Sequence, residues 1–225
     1  MWLDLKCDGK RFCRPLFTSP KTNLNIAHYN IDQNEPMVNI NEILLIAIEL
    51  GPKVIFVESS LYPRAINWQQ LREIADTVGS YLIADISSIA SLTSTGNLPS
   101  PFPHCHIVTT STHESLRGPF GSLTMTNHPQ LLAKLSLNSI FQNPYNATTL
   151  AISFQEALTQ NFRDWATSVI NNARALSTRL TQRGLPIVTG GTDNHLVLID
   201  LKPLNLTYES VKLALTDSYI EIDNE

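Results

Sequence analysis

Segments typical of strands and segments typical of helices alternate through the first two thirds of the chain. Short aliphatic runs, such as residues 53–57, are followed by stretches in which apolar residues recur at helical spacing. Because strands that are joined through helices run parallel, this alternation predicts a mostly parallel sheet with helices packed on its faces. With 225 residues, 43% of them hydrophobic, the chain is long enough to bury one sizeable core. We therefore expect an α/β fold.

Local signals predict the bounds of several elements. A helix is expected to begin after an N-cap at Asn67, with Gln70 three positions on, and to end at Gly79. The turn at 117–119 is expected to separate two strands. The predicted strands are 53–57, 81–85, 107–111 and 122–125.

Helical periodicity dominates the chain after residue 149. Two core-facing stripes are predicted, with a break near Asn161, and Gly184 and Pro186 are expected to end the second helix. A strand is predicted at 196–201 and a helix at 208–215. The first stripe contains Leu150, Phe154, Ala157 and Leu158, and the second contains Trp165, Val169, Ala173, Leu176 and Leu180.

The net charge and the hydropathy of the chain argue against some classes of binding partner. The formal net charge is −4, the pI is about 5.8 and no run of lysine or arginine occurs, so neither nucleic acid nor an anionic membrane is expected as a partner. The most apolar stretch, 40–50, is interrupted by Glu42 and Glu49 and is too short to span a bilayer. The first four residues lack a secretory pattern, and a cytoplasmic location is expected.

The cysteines and histidines predict no metal site. Cys7, Cys13 and Cys105 form no pair of close pairs, and their odd number favours reduced thiols over a disulfide framework. His104 and His106 flank Cys105 on a predicted strand, where alternate side chains point to opposite faces. The three side chains are therefore not expected to converge on one ion.

A series of short motifs, densest between residues 53 and 121, follows one order and spacing. The motifs are Ser60-Leu61-Tyr62-Pro63-Arg64, Leu71-Arg72-Glu73-Ile74-Ala75-Asp76, Ala84-Asp85-Ile86, Pro103-His104-Cys105-His106-Ile107-Val108-Thr109-Thr110, Thr109-Thr110-Ser111-Thr112-His113-Glu114-Ser115-Leu116-Arg117-Gly118-Pro119 and Gly190-Gly191-Thr192-Asp193-Asn194-His195-Leu196. Together they resemble the serine hydroxymethyltransferase family. The resemblance runs from about the middle of the first fifty residues to the C-terminus.

The resemblance implies a fold and a cofactor. It implies part of the large domain of a fold type I transferase that depends on pyridoxal 5′-phosphate, over residues 1–184, and the start of a small C-terminal α/β domain over 185–225. It also implies that Asp85 pairs with the pyridine nitrogen of the cofactor, that Ser60 lies beside the ring, and that His113 precedes the position of the cofactor lysine. From the sequence alone, Asp85 could also cap a turn.

Several positions depart from the family pattern. Glu114 stands where the family carries the lysine that condenses with the cofactor aldehyde, and a carboxylate has no nucleophilic nitrogen for that bond. Ser88 replaces a histidine and Phe120 replaces an arginine, so an imidazole and a fixed cation are lost. The paired glycines that bring backbone amides close to the cofactor phosphate fall at Asn146 and Ala147.

Other parts of the family's site are expected to lie outside this sequence. A phosphate-binding serine-glycine loop, a ring-stacking histidine and a substrate-side glutamate and tyrosine have no counterpart before Met1, and the arginine that binds the substrate carboxylate falls beyond Glu225. We therefore expect no catalytic residue and no covalently bound cofactor. The expected remnants of the cofactor site are Ser60, Asp85 and His113.

Two functions of different classes are compatible with this pattern. The first is a catalytically inactive serine hydroxymethyltransferase-like protein that acts as a binding or regulatory partner, in a homodimer or in a heterodimer with a full-length family member. The second is a residual serine and glycine one-carbon enzyme that holds pyridoxal phosphate noncovalently. A third interpretation is the incompletely folded product of a decayed gene. Glu114 is either a solvated carboxylate or, with His113 and Asp85, part of a new acid–base set.

Overall fold

The computed structural model describes residues 2–6, 26–30, 37–136 and 144–223. Six strands form one sheet in this part of the chain. They are β1 (Trp2–Lys6), β2 (Ile26–Asn30), β3 (Val54–Glu58), β4 (Tyr81–Asp85), β5 (Ile107–Ser111) and β6 (Ser122–Met125).

The sheet is mostly parallel. Its strand order is β2-β1-β3-β4-β5-β6, and each neighbouring pair is parallel except β5 and β6, which are antiparallel. The described residues contain seven α-helices, which connect or follow the strands. They are α1 (Ile40–Leu50), α2 (Trp68–Val78), α3 (Ala90–Ser94), α4 (Pro129–Ser136), α5 (Pro144–Ala157), α6 (Gln160–Gln182) and α7 (Tyr208–Thr216). The expected α/β architecture, a mostly parallel sheet with flanking helices, is confirmed.

The predicted caps of α2 are present. The Asn67 side chain accepts a hydrogen bond from the Gln70 amide at 3.1 Å, and Gly79 ends the helix in the left-handed conformation with φ of 69°. The left-handed conformation favours glycine because a side chain there would be strained. Both ends of α2 are therefore fixed by local sequence, and β4 begins two residues after Gly79.

The hydrophobic core lies along the central strands. Ile55 and Val57 of β3, Leu82 of β4 and Val108 of β5 are buried, and residues of α1, α2 and α6 pack in the same cluster. The members from these helices that are buried are Ile43, Ala47, Trp68, Leu71, Ile74, Ala75, Ala166 and Ile170. This packing holds β3, β4 and β5 in the middle of the sheet, so the loops that follow them are positioned by rigid elements.

The expected core-facing stripe of α6 is wrong by one position. The buried residues are Phe162, Ala166, Ile170, Ala173 and Ser177, whereas Leu176 of the predicted stripe is 54% exposed. The two stripes share Ala173, and three of the five buried residues, Ala166, Ala173 and Ser177, are small. Trp165 and Val169 pack only at the margin of the core.

Three smaller expectations also differ from the structure. The strand predicted at 53–57 is displaced by one residue, to Val54–Glu58. Leu158 lies beyond the end of α5 and is 69% exposed, so it is not a core residue. Residues 196–201 form no strand. They make only an isolated antiparallel bridge between Ile187 and Ile199, with no further neighbour in the described residues that would extend a ladder.

Candidate functional site

The carboxyl ends of three parallel strands meet at one edge of the sheet. Glu58 of β3 is paired in register with Asp85 of β4, and Asp85 is paired with Thr109 of β5. The loops after these strands are rich in serine. Ligands of open parallel sheets bind outside the carboxyl ends of the strands. We call this region, with the loops 59–67, 86–89 and 112–121, the carboxyl edge.

Asp85 is a buried carboxylate held by neutral partners. It is 5% exposed, its Oδ1 accepts a hydrogen bond from the Ser87 amide at 3.0 Å, and its Oδ2 accepts one from the Thr109 hydroxyl at 2.6 Å. No ion pair to Asp85 occurs in the described part of the chain. Because buried charges are normally paired, this arrangement fits a cationic group of a ligand, such as a protonated pyridine nitrogen.

Serine hydrogen bonds join the loops that follow β4 and β5. The Ser111 amide donates to the Ser87 hydroxyl at 2.8 Å, and the Ser115 hydroxyl donates to the Ser87 carbonyl oxygen at 3.2 Å. The Ser91 amide in turn donates to the Ser115 hydroxyl at 3.2 Å. The loop that carries Asp85 and the loop that carries Glu114 are therefore fixed relative to each other.

Three buried polar atoms in these two loops have no hydrogen-bond partner among the described residues. They are the hydroxyl oxygens of Ser88 and Ser111 and the Nδ1 atom of His113. An unpaired buried polar group costs about 1–3 kcal/mol. A polar ligand that contacted these atoms would recover that free energy, so the three atoms fit a binding site better than a sealed core.

His113 packs against Phe120, which the resemblance implies to stand in place of an arginine. The rings of His113 and Phe120 are stacked, with centroids 3.8 Å apart and an interplanar angle of 14°. Phe120 is 82% exposed. The position therefore presents a flat aromatic surface to solvent where the resemblance implied a cation.

Glu114 lies in an exposed turn that a backbone hydrogen bond between Glu114 and Arg117 closes. The Arg117 amide donates to the Glu114 carbonyl oxygen at 3.2 Å, and Arg117 adopts a left-handed φ of 58°. The Arg117 guanidinium lies 3.8 Å from the ring centroid of Trp165 and 3.8 Å from the Glu156 carboxylate. A cation over an aromatic ring is stabilised electrostatically. These two contacts of Arg117 hold the turn against α5 and α6.

The chain after α6 returns to the carboxyl edge. The Arg64 guanidinium donates to the Thr189 carbonyl oxygen at 3.2 Å and pairs with the Asp193 carboxylate at 3.3 Å. The buried Asn194 side chain donates to the Tyr62 carbonyl oxygen at 2.8 Å and accepts from the Leu196 amide at 2.8 Å. We call these contacts between loop 59–67 and turn 189–194 the loop clasp.

The loop clasp places His195 within the electrostatic influence of Glu114. Desolvation by surrounding protein lowers the pKa of the His195 imidazole below its ordinary value of 6.5, and the Glu114 carboxylate acts in the opposite direction. The side chain still reaches solvent. His195 is therefore a neutral neighbour of Glu114 near pH 7 and does not compensate its charge.

Three further residues named in the sequence analysis are Ser60, Asn146 and Ala147. The Ser60 hydroxyl donates to the Glu58 carboxylate at 2.9 Å, so its proton is engaged within the protein. Asn146 and Ala147 lie inside α5 and not in a loop.

The described residues contain no group of three potential ligands that could hold a metal ion. Among them, too, no helix is long and apolar enough to cross a bilayer.

Cys105, His106 and His128 lie at the opposite edge of the sheet, near the start of β5 and the end of β6. Burial raises the pKa of the Cys105 thiol to about 12. The thiol is therefore protonated at neutral pH and is a poor nucleophile. This cysteine is distant in the fold from the carboxyl edge and takes no part in the candidate site.

Comparison with known proteins agrees with the motifs. The family model described as serine hydroxymethyltransferase matches residues 16–225. The chain belongs to the serine hydroxymethyltransferase family. It is 41% identical over 197 residues to serine hydroxymethyltransferase of Ehrlichia canis, which covers 85% of this chain and 47% of that protein. It is 43% identical over 188 residues to serine hydroxymethyltransferase of Nostoc punctiforme, which covers 81% and 44%.

A third serine hydroxymethyltransferase, from Bartonella tribocorum, is 41% identical over 202 residues, which covers 87% of this chain and 46% of that protein. The chain thus spans about half the length of the curated relatives it matches. Membership of the serine hydroxymethyltransferase family implies pyridoxal phosphate as the family cofactor.

The structure also gives a place in the site to residues to which the sequence assigned no role. Hydrogen bonds or a cation–ring contact at the carboxyl edge are made by Ser87, Thr109, Ser111 and Arg117. Ser111 could have been found, because it is the last residue of a correctly predicted strand and the argument used for Asp85 applies equally to it. Arg117 could not, since its partners lie more than thirty residues away in the chain.

Proposed function

We propose that this chain is a noncatalytic member of the serine hydroxymethyltransferase family that acts by binding, as a partner of a second copy or of a full-length serine hydroxymethyltransferase. One observation carries the proposal. Glu114 presents an exposed carboxylate in the turn after β5, at the position where the resemblance implies the amine that bonds the cofactor aldehyde. A carboxylate cannot form that bond, so serine cleavage by this chain alone should not turn over.

Exposed apolar side chains beside the site support association. Phe120 is 82% exposed and Ile152 of α5 is 66% exposed. The two segments are adjacent, because a Cβ built on Gly118 would lie 3.1 Å from the Ser153 hydroxyl. Large exposed apolar side chains favour contact with another protein surface.

Light scattering during size-exclusion chromatography tests the association. The chain alone, and the chain mixed with full-length serine hydroxymethyltransferase from the same cell, should elute as a dimer or a mixed complex. The double variant Phe120→Ser and Ile152→Ser should dissociate the dimer or the mixed complex. Leu213→Ser, which removes an exposed leucine from α7, should leave either assembly intact. A stable monomer that forms neither complex would refute the proposal.

A second candidate function is noncovalent binding of pyridoxal phosphate. Buried Asp85 and the unpaired atoms of Ser88, Ser111 and His113 favour it, because these groups could hold a protonated pyridine ring and its polar substituents. The residues do not fit the covalent link, which requires an amine at Glu114. When bound, the cofactor would supply an electron-withdrawing ring.

Borohydride reduction and thermal unfolding separate the two modes of binding. With saturating pyridoxal phosphate we expect the unfolding temperature to rise, by the equivalent of about 2.7 kcal/mol at a hundred times the dissociation constant. After reduction, peptide mapping should find no lysine labelled stoichiometrically. A single stoichiometric lysine adduct would demonstrate a covalent site elsewhere, and an unchanged unfolding temperature would exclude this candidate.

A further inference from the structure

Residues 196–200 run straight and are hydrogen-bonded to the preceding chain on one side. The Val188 amide donates to the Leu198 carbonyl oxygen at 3.0 Å, and the Asp200 amide donates to the Pro186 carbonyl oxygen at 2.9 Å. Leu198 and Asp200 therefore direct these backbone groups toward the bridge that was described above.

The other side of this segment is an edge without a partner strand in the described residues. Successive residues of an extended strand direct their N–H and C=O groups to opposite sides, so Val197 and Ile199 direct theirs away from the bridge. Among the residues that the structure describes, no hydrogen bond is made to these groups. We call this side of residues 196–200 the open edge. Such an edge is a template for pairing with another strand.

The chain around the open edge also lacks a buried core. No residue from His195 to Asp223 is buried, although residues 196–199 are all aliphatic. α7, which lies in this range, buries none of its side chains. Leucine, valine and isoleucine favour paired strands because their side chains pack against those of a neighbouring strand. A strand on the open edge would therefore cover apolar surface and also bond the free backbone groups.

We infer that the open edge pairs with the open edge of a second copy of this chain, antiparallel and centred on Leu198. In this register Val197 of each copy lies opposite Ile199 of the other, and the two residues exchange both of their hydrogen bonds. The pairing ends at Asp200, because Leu201 leaves the extended conformation with φ of −85° and ψ of −17°. The two Asp200 carboxylates lie at opposite ends, whereas a parallel pairing would place these like charges side by side.

The inference goes beyond the proposed function, because the open edge contains neither Phe120 nor Ile152. The same surface on both copies makes a two-fold contact that closes on itself. Pairing of five residues buries less area than a standard interface, so we expect a dissociation constant on the order of 0.1–1 mM. The open edge therefore joins copies that are concentrated or that another surface already holds together.

Single cysteines on one face of the segment test the register. In a background with Cys7→Ser and Cys13→Ser, the variants Leu196→Cys, Leu198→Cys and Asp200→Cys are oxidised with copper phenanthroline at one high protein concentration. Central residues of the pairing lie about 4.5 Å apart between Cα atoms, which a disulfide can bridge. The cysteines of the other two variants would lie about 14 Å apart. Leu198→Cys should therefore form the cross-linked dimer about tenfold faster than either of them.

The addition of Ile199→Pro to Leu198→Cys tests the backbone hydrogen bonds. Proline has no N–H group, so this change removes a donor from the open edge and leaves the bonds of Val188 and Asp200 in place. The fast cross-link should be lost, whereas the matched change Ile199→Ala should retain it. Circular dichroism checks that both variants are folded, and the comparison of the three cysteine positions decides the register by itself.

Three results would overturn the inference. They are equal cross-linking at the three cysteine positions, no cross-link from Leu198→Cys, and a fast cross-link that survives Ile199→Pro in a folded chain. Each would mean that the open edge has another occupant or none. The double variant Phe120→Ser and Ile152→Ser should keep the contrast between Leu198→Cys and Leu196→Cys, so failure of the proposed function is distinguishable from failure of this inference.

Discussion

At the scale of single residues, His106 links the backbone of the sheet to pH. Its Nδ1 atom accepts a hydrogen bond from the Leu82 amide at 2.9 Å, and its own amide donates to the Leu82 carbonyl oxygen at 2.9 Å. The ring contacts Tyr81 edge-on and stacks on His128, with centroids 5.2 Å away in both cases. A protonated Nδ1 cannot accept a hydrogen bond, so the fold requires the neutral ring.

The groups around His106 act on its pKa in both directions, and the net effect is to lower it. Burial lowers the pKa of His106 below its ordinary value of 6.5, and the nearby Arg72 and His128 lower it further, against the opposing effect of Asp76. The unfolded chain therefore binds the proton more readily than the folded chain. The contribution of His106 to stability is complete above pH 6.5 and is lost as the pH falls through the lower, folded-state pKa.

We predict that His106→Asn flattens the dependence of stability on pH. The asparagine oxygen can accept the Leu82 hydrogen bond and does not titrate in this range. Urea unfolding at pH 7.5, 6.5 and 5.5 should show a smaller loss of unfolding free energy than in the unmodified chain. The difference in slope is limited to about 1.4 kcal/mol per pH unit, the value for one proton. His104→Asn serves as the neighbouring control, and an identical slope in the two variants would contradict the prediction.

At the scale of elements, the loop clasp attaches the chain after α6 to the sheet. Asn194 bonds both Tyr62 and Leu196, and Thr192 donates to the Pro63 carbonyl oxygen at 3.2 Å. The same loop carries Ser60, and His195 directly follows the same turn. The position of the C-terminal segment and the shape of the carboxyl edge are therefore coupled through a few buried hydrogen bonds.

We predict that Asn194→Ala loosens this attachment. Removing the side chain removes its hydrogen bonds to the Tyr62 carbonyl oxygen and from the Leu196 amide, which should lower the unfolding free energy by about 1–3 kcal/mol. Hydrogen exchange should also become faster in residues 186–200. Asn171→Ala, an exposed change on α6, should have neither effect. Unchanged exchange in Asn194→Ala would mean that the segment is held by other contacts.

Elements with strong local signals were predictable, and those set by packing were not. The bounds of α2, β4, β5 and β6 follow from caps, turns and short aliphatic runs, and the structure has them as predicted. The buried face of α6 depends on how it packs against neighbouring elements, which periodicity does not decide. The segment 196–201 has strand-like composition but lacks a neighbouring strand in the described residues, and strands form only in pairs.

At the scale of the whole molecule, the sequence predicted a candidate site at the carboxyl ends of the parallel strands. Asp85 was assigned to a strand end, and the structure places it there with Glu58 and Thr109. The unpaired atoms of Ser88 and Ser111 were not foreseen, because hydrogen-bond satisfaction is a property of the folded chain. The interpretation of Glu114 as a replacement for the family lysine depends on the family resemblance alone, since a glutamate in a turn has no distinctive pattern of its own.

The contact between Arg117 and Trp165 has a practical consequence. The chain has three tryptophans, and the indole of Trp165 lies beneath the guanidinium of the turn that carries Glu114. A guanidinium held against the ring sets the polarity around the indole. Any molecule that displaces this turn would shift the emission of a built-in fluorophore, so the protein could report occupancy of the carboxyl edge without an attached dye.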